Sequence, residues 1–147
     1  MVLATMLRLR DEGVELPAAA VVLSPWTDLA LTGESFRLNA VVDPIIPVEL
    51  APRVVELCLA GADPRDPYAS PLYGELSGLL PTLILVGSDE VLRDDAVRMA
   101  DKMRIAGCSV EIEVWQHMWH GWHMLVRVIP EARAAIARIA RFTHDKL

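Results

Sequence analysis

The sequence predicts an α/β fold with a parallel sheet, on three observations. Two unbroken apolar runs, from Pro17 to Ser24 and from Pro81 to Gly87, are closed off by prolines or glycine. Runs of this kind fit strands buried on both faces. A third run, from Ser109 to Trp115, alternates apolar and acidic residues, the pattern of a strand with one wetter face nearer a sheet edge. The stretches between and around them carry helical periodicity, and strands alternating with helices argue a parallel sheet.

Taken in order, residues 2–12 read as a helix stopped by Gly13. The first strand follows, and then a long insert from Pro25 to Pro71 that holds seven of the ten prolines. It contains one helical piece around Val48 to Ala60 and a rigid turn at Asp63-Pro64-Arg65-Asp66-Pro67. Excursions of this kind leave the carboxyl ends of strands, where ligands bind. After the second strand, Leu92, Ala96, Met99, Met103 and Ala106 form one stripe on a helix that Gly107 closes. Asp94 and Asp95 near its start and Lys102 and Arg104 near its end suit the helix dipole. The last helix opens at Pro130 with Glu131 beside it, and Ala132, Ala135, Ile136, Ile139 and Phe142 form its predicted buried face.

The chain has 147 residues, 53% apolar and 23% charged, which suits a single domain with a sizeable core. Fourteen basic against twenty acidic residues leave a net charge of −6, which argues against a nucleic-acid partner. No apolar run approaches the roughly 20 residues needed to span a bilayer. The opening heptad is interrupted by Arg8 and Arg10 and does not read as a signal peptide. Cys58 and Cys108 are too few for a disulfide scaffold and lack C-x-x-C spacing. A soluble, cytoplasmic chain is the expectation.

Chemistry concentrates at two places. Asp89 stands just past the second strand and His120 just past the third, so adjacent parallel strands bring both to one end of the sheet. An aspartate there can fix the imidazole tautomer and leave the other nitrogen as general base; read alone, Asp89 suits equally well as a helix N-cap. Asp94 reads as a first-turn stabiliser. Of the other histidines, His144 reads as solvated, and His117 and His123 as structural or rim residues. Trp115, Trp119 and Trp122 crowd the His120 segment, either to shape an acyl pocket or to pack against the last helix. The histidine spacing matches no usual zinc pattern.

Several segments together give a resemblance. From Leu23 through Ser24-Pro25-Trp26-Thr27-Asp28 to Leu29, then Ala60 to Pro67 and Ala69 to Tyr73, and later Asp89-x-x-Leu92-x-Asp94 and His120-Gly121-Trp122, the chain resembles the hormone-sensitive-lipase-like esterases of the α/β-hydrolase superfamily. The resemblance implies the C-terminal part of that fold, roughly three parallel strands flanked by helices. It implies hydrolysis of small carboxylic esters of short or medium acyl chains, without metal or cofactor. It also implies Asp89 as triad acid and His120 as triad base; Trp119 and Trp122, crowding that histidine, are the rings expected on the substrate side.

The same resemblance exposes a gap. Hydrolases of this type carry their serine in a G-x-S-x-G elbow that precedes the acid and histidine in the chain. No such motif occurs here, since the one glycine pair at that spacing, Gly74 and Gly78, encloses Leu76. The H-G-G-G-type oxyanion loop is missing as well. Ser24, Ser70, Ser88 and Cys108 sit on no visible elbow and are poor replacements. The expectation is a single truncated domain, inactive by itself, or a remnant that binds or assembles without catalysis. Its first strand would present an apolar edge that pairs with another copy.

Overall fold

The computed structural model describes residues 1–146. Three strands, β1 (Ala20–Leu23), β2 (Thr82–Gly87) and β3 (Val110–Trp115), pair in parallel in the order β1-β2-β3. Leu23 stands opposite Leu85, and Gly87 opposite Trp115, so the three carboxyl ends lie side by side. Every residue of β2 is buried, as its unbroken apolar composition requires of a central strand.

Helix α1 (Val2–Asp11) and helix α4 (Arg93–Ile105) cover one face of the sheet. There Leu3, Met6 and Leu7 join Ile84, Val86, Ala96, Met99 and Met103 in the larger core cluster. Helix α5 (Pro130–His144) covers the other face, where Ala132, Ala135 and Phe142 meet Leu83, Leu85 and Trp122. Ile136, expected on the buried face of α5, is 45% exposed; the inward stripe runs through Ala132 and Ala135 instead. The acidic residues of β3 are held by Arg138 of α5, which bonds the carboxylates of both Glu111 and Glu113, so the wetter face of that strand is an ion-pair seam.

The insert after β1 contains helix α2 (Ser35–Leu38) and helix α3 (Ala51–Leu59), the latter preceded by a 3₁₀ turn over Val48–Leu50. Carboxylate acceptors at the start of α4 tie the insert down. Asp95 Oδ2 accepts the N–H groups of Thr27 and Asp28 at 2.7 and 2.8 Å, and Asp94 Oδ2 accepts that of Ser35 at 2.9 Å. The first-turn acids of α4 therefore anchor a neighbouring segment, beyond any service to the helix dipole. Asp28 is a second hub, fully buried and bonded by Thr32, Tyr73 and Arg98. Burial works to raise its carboxyl, but the bonds from Thr32, Tyr73 and Arg98 outweigh that and hold it below the usual range. Burial dominates at Asp95 and pushes its carboxyl up to about 7.

Candidate active site

The turn after β2 positions the first carboxylates. Gly87 ends the strand under the 117–118 backbone, where a Cβ would run into the Met118 carbonyl. Only glycine permits that approach. Asp89 N–H donates to the Met118 carbonyl at 3.1 Å, and Ser88 Oγ accepts His117 N–H at 2.8 Å. These two bonds pin the loop after β3 onto the loop after β2. His117 takes a left-handed backbone to make the turn, with φ +57°.

This pinning decides which acid faces the histidine. Asp89 is turned to the rim: its carboxylate accepts Ser88 Oγ–H at 2.6 Å and lies 4.0 Å from Nδ1 of the exposed His117. Glu90, the next residue, points inward and is fully buried. Its Oε2 lies 3.3 Å from Nδ1 of His120. The expectation that Asp89 would reach His120 is thus corrected by one position. Asp89 is fixed by its backbone bond to Met118, and the longer glutamate side chain fills the space beneath. It does not cap α4 either, whose N-cap position is Leu92 with no side-chain cap bond.

A carboxylate only accepts, so we assign the shared proton to His120 Nδ1. Nε2 of a ring that is 29% exposed then remains available at the carboxyl end of the sheet. His123 stands close by, half-buried. Burial holds its imidazole below the ordinary value; the Glu90 charge opposes this and His120 adds to it. His144 is exposed beside Asp145.

Trp119 is partly buried, whereas Trp122 is fully buried in the cluster with α5. The ring expected to shape a substrate pocket therefore serves the core, stacked at a tilt on Trp115 with centroids 5.0 Å apart. Trp119 also packs against that cluster but stays partly exposed. Beside the outer edge of β1 lies a hollow of about 280 Å³, whose lining includes Met1, Val21, Leu23, Ser24 and Trp26. Among the described residues, no group of three or more His, Cys, Asp or Glu could hold a metal ion, and no helix is long and apolar enough to cross a membrane.

Glu90 was legible in principle. Its signal is its place: it follows Asp89 in the same turn, two residues before Leu92, with a carboxylate on a longer side chain.

A βαβ sheet with a buried carboxylate held to a histidine at its carboxyl end is the arrangement of an α/β-type hydrolase. The family model described as alpha/beta hydrolase fold matches residues 1–124, and the chain belongs to that family. It is 46% identical over 136 residues to an acetyl-hydrolase of Streptomyces hygroscopicus, covering 92% of this chain and 46% of the relative. It is 37% identical over 143 residues to an esterase of Acinetobacter venetianus, covering 97% of this chain and 47% of the relative. The crystal structure of an esterase from the bacterial hormone-sensitive lipase family superposes with a TM-score of 0.96 at 43% identity, over 99% of this chain and 49% of that one. The hormone-sensitive-lipase-like resemblance of the sequence is thereby upheld. The chain spans about half the length of the relatives it matches.

Proposed function

We propose that this chain carries the acid–base half of a serine ester-hydrolase site, with Glu90 as the acid and His120 as the base. The observation that carries the reading is the 3.3 Å approach of the buried Glu90 Oε2 to His120 Nδ1. Glu90 holds the ring with its proton on Nδ1 and stabilises the imidazolium that forms when Nε2 takes a proton from an attacking hydroxyl. The same imidazolium then returns that proton to the leaving alkoxide. The substrate class is a small carboxylic ester of short or medium acyl chain, supported by relatives named acetyl-hydrolase and esterase. The half-buried Trp119 offers the acyl chain an apolar wall.

Within these 147 residues there is no G-x-S-x-G serine, so the pair has no nucleophile of its own to activate. This chain by itself therefore does not turn over esters. The test is hydrolysis of p-nitrophenyl acetate and butyrate by the 147-residue protein. Background rates unchanged by His120→Ala are expected; turnover that His120→Ala abolishes would overturn the inactivity of the chain alone while supporting His120 as the base, and turnover that His120→Ala leaves intact would overturn His120 as the base.

A second reading, assembly without catalysis, is favoured by the outer edge of β1, which has no strand against it among the described residues. We infer that it pairs with another copy, as an open apolar edge does.

A further inference from the structure

The two oxygens of the carboxylate that faces His120 are used differently. Oε2 is turned to the imidazole. Oε1 accepts two donors, the Gly87 N–H at 2.7 Å and the Ser24 Oγ–H at 2.7 Å. Gly87 belongs to Glu90's own turn. Ser24 comes from elsewhere in the chain: it is the first residue past β1, and its N–H continues the sheet ladder to the Leu85 carbonyl at 2.8 Å.

Ser24 is also conformationally costly. Its φ is +45°, in the left-handed region that a residue with a Cβ avoids and that glycine enters freely. Such a backbone persists only where the surroundings impose it, and it gathers at functional sites. Glycine would meet the backbone requirement better, so the side chain has to explain a serine there. That side chain is buried, and its hydroxyl donates to Glu90. The same bond removes Ser24 from consideration as a substitute nucleophile, because its proton is committed to a carboxylate and its oxygen contacts no imidazole.

We propose that Ser24 is a positioning residue for the acid–base pair. By occupying Oε1 together with the Gly87 N–H, it fixes the rotation of the Glu90 carboxylate so that Oε2 alone is presented to His120. The inference rests on the Glu90–His120 reading above. Ser24 touches no reacting atom and acts only through Glu90, by setting which ring nitrogen of His120 holds the proton.

The ring nitrogens of His120 report this directly. The experiment is ¹⁵N NMR of the labelled 147-residue protein at about pH 8.5, where an ordinary imidazole is neutral, on wild type, Glu90→Gln, Ser24→Gly and Ser24→Ala. Wild type is expected to show the proton on Nδ1. Glu90→Gln is expected to move the population toward Nε2–H. Ser24→Gly and Ser24→Ala are expected to move it part of the way. Ser24→Gly suits φ +45° and is the variant expected to keep its fold, checked by circular dichroism. Wild-type ring spectra in Ser24→Gly, with Glu90→Gln displaced, would overturn the positioning role and leave the pair intact. A wild-type ring spectrum in Glu90→Gln would overturn the pair itself. Loss of fold in both Ser24→Gly and Ser24→Ala would show that the hydroxyl serves the fold, and would equally overturn the proposal.

Discussion

Glu90 and His120, thirty positions apart in the chain, meet at 3.3 Å between Oε2 and Nδ1, while Asp89, one residue earlier, faces solvent and His117. The side chain chosen by the turn after β2 is the one without a route to water.

That difference predicts opposite outcomes for two neighbouring substitutions. Glu90→Ala strands the buried Ser24 hydroxyl and Gly87 N–H and takes the partner from the part-buried His120 Nδ1–H; buried donors without partners cost about 1–3 kcal/mol each. We expect a loss of about 3 kcal/mol or more in urea unfolding. Asp89→Ala, at a partly exposed position with one neighbouring hydroxyl bond, should stay within about 1 kcal/mol of wild type.

Asp95 predicts a pH dependence. Its folded value of about 7 lies above the unfolded value of 3.8. Below 3.8 both states hold the proton. As pH rises from there to about 7, the unfolded state gives up its proton while the folded state keeps it, so this group's contribution falls across that window. Asp95→Asn cannot ionise and keeps an oxygen for the Thr27 and Asp28 N–H groups. Thermal unfolding should show Asp95→Asn close to wild type near pH 4 and more stable than wild type at pH 8.

Gly87→Ala forces a methyl group into the Met118 carbonyl. Crowding against backbone has no soft side chain to absorb it, and a loss of about 2–3 kcal/mol is expected. Because Asp89 N–H bonds that same carbonyl, backbone amide shifts of residues 117–120 should move with those of 88–90 in this variant. Shifts confined to residue 87 would contradict the coupling of the two loops.

The open edge of β1 predicts association. Size-exclusion chromatography with light scattering at tens of micromolar should show species larger than the 16.2 kDa chain. Val21→Lys, at a partly buried β1 position beside the hollow, should shift the distribution toward monomer, since charge on an edge strand opposes pairing.

The fold was legible because its signals are local. The apolar runs ending at Ser24 and Gly87 became β1 and β2 with trimmed starts, and the stripe through Ala96, Met99 and Met103 became the buried face of α4. His120 was legible for the same reason, standing just past a strand that pattern alone reveals. The choice between Asp89 and Glu90 was not, because it is made by the 117–118 backbone crossing over Gly87, a contact between segments thirty residues apart. Asp95 escaped as well. Helical periodicity puts it beside the apolar stripe, but its partners Thr27 and Asp28 lie in the insert, where no periodicity marks them. Trp122 points toward substrate in the sequence alone because a linear pattern cannot say which side of a ring a distant helix will cover.

The Ser24–Glu90–His120 chain of contacts crosses all three strand ends, and so it measures the sheet. Sliding one parallel strand by a single residue displaces its end by about 3.3 Å, more than a hydrogen bond can stretch. Correct pairing of Leu23 with Leu85 and of Gly87 with Trp115 is therefore a condition for the imidazole to be held at all. A misaligned ladder would release the imidazole without altering one atom of its own loop.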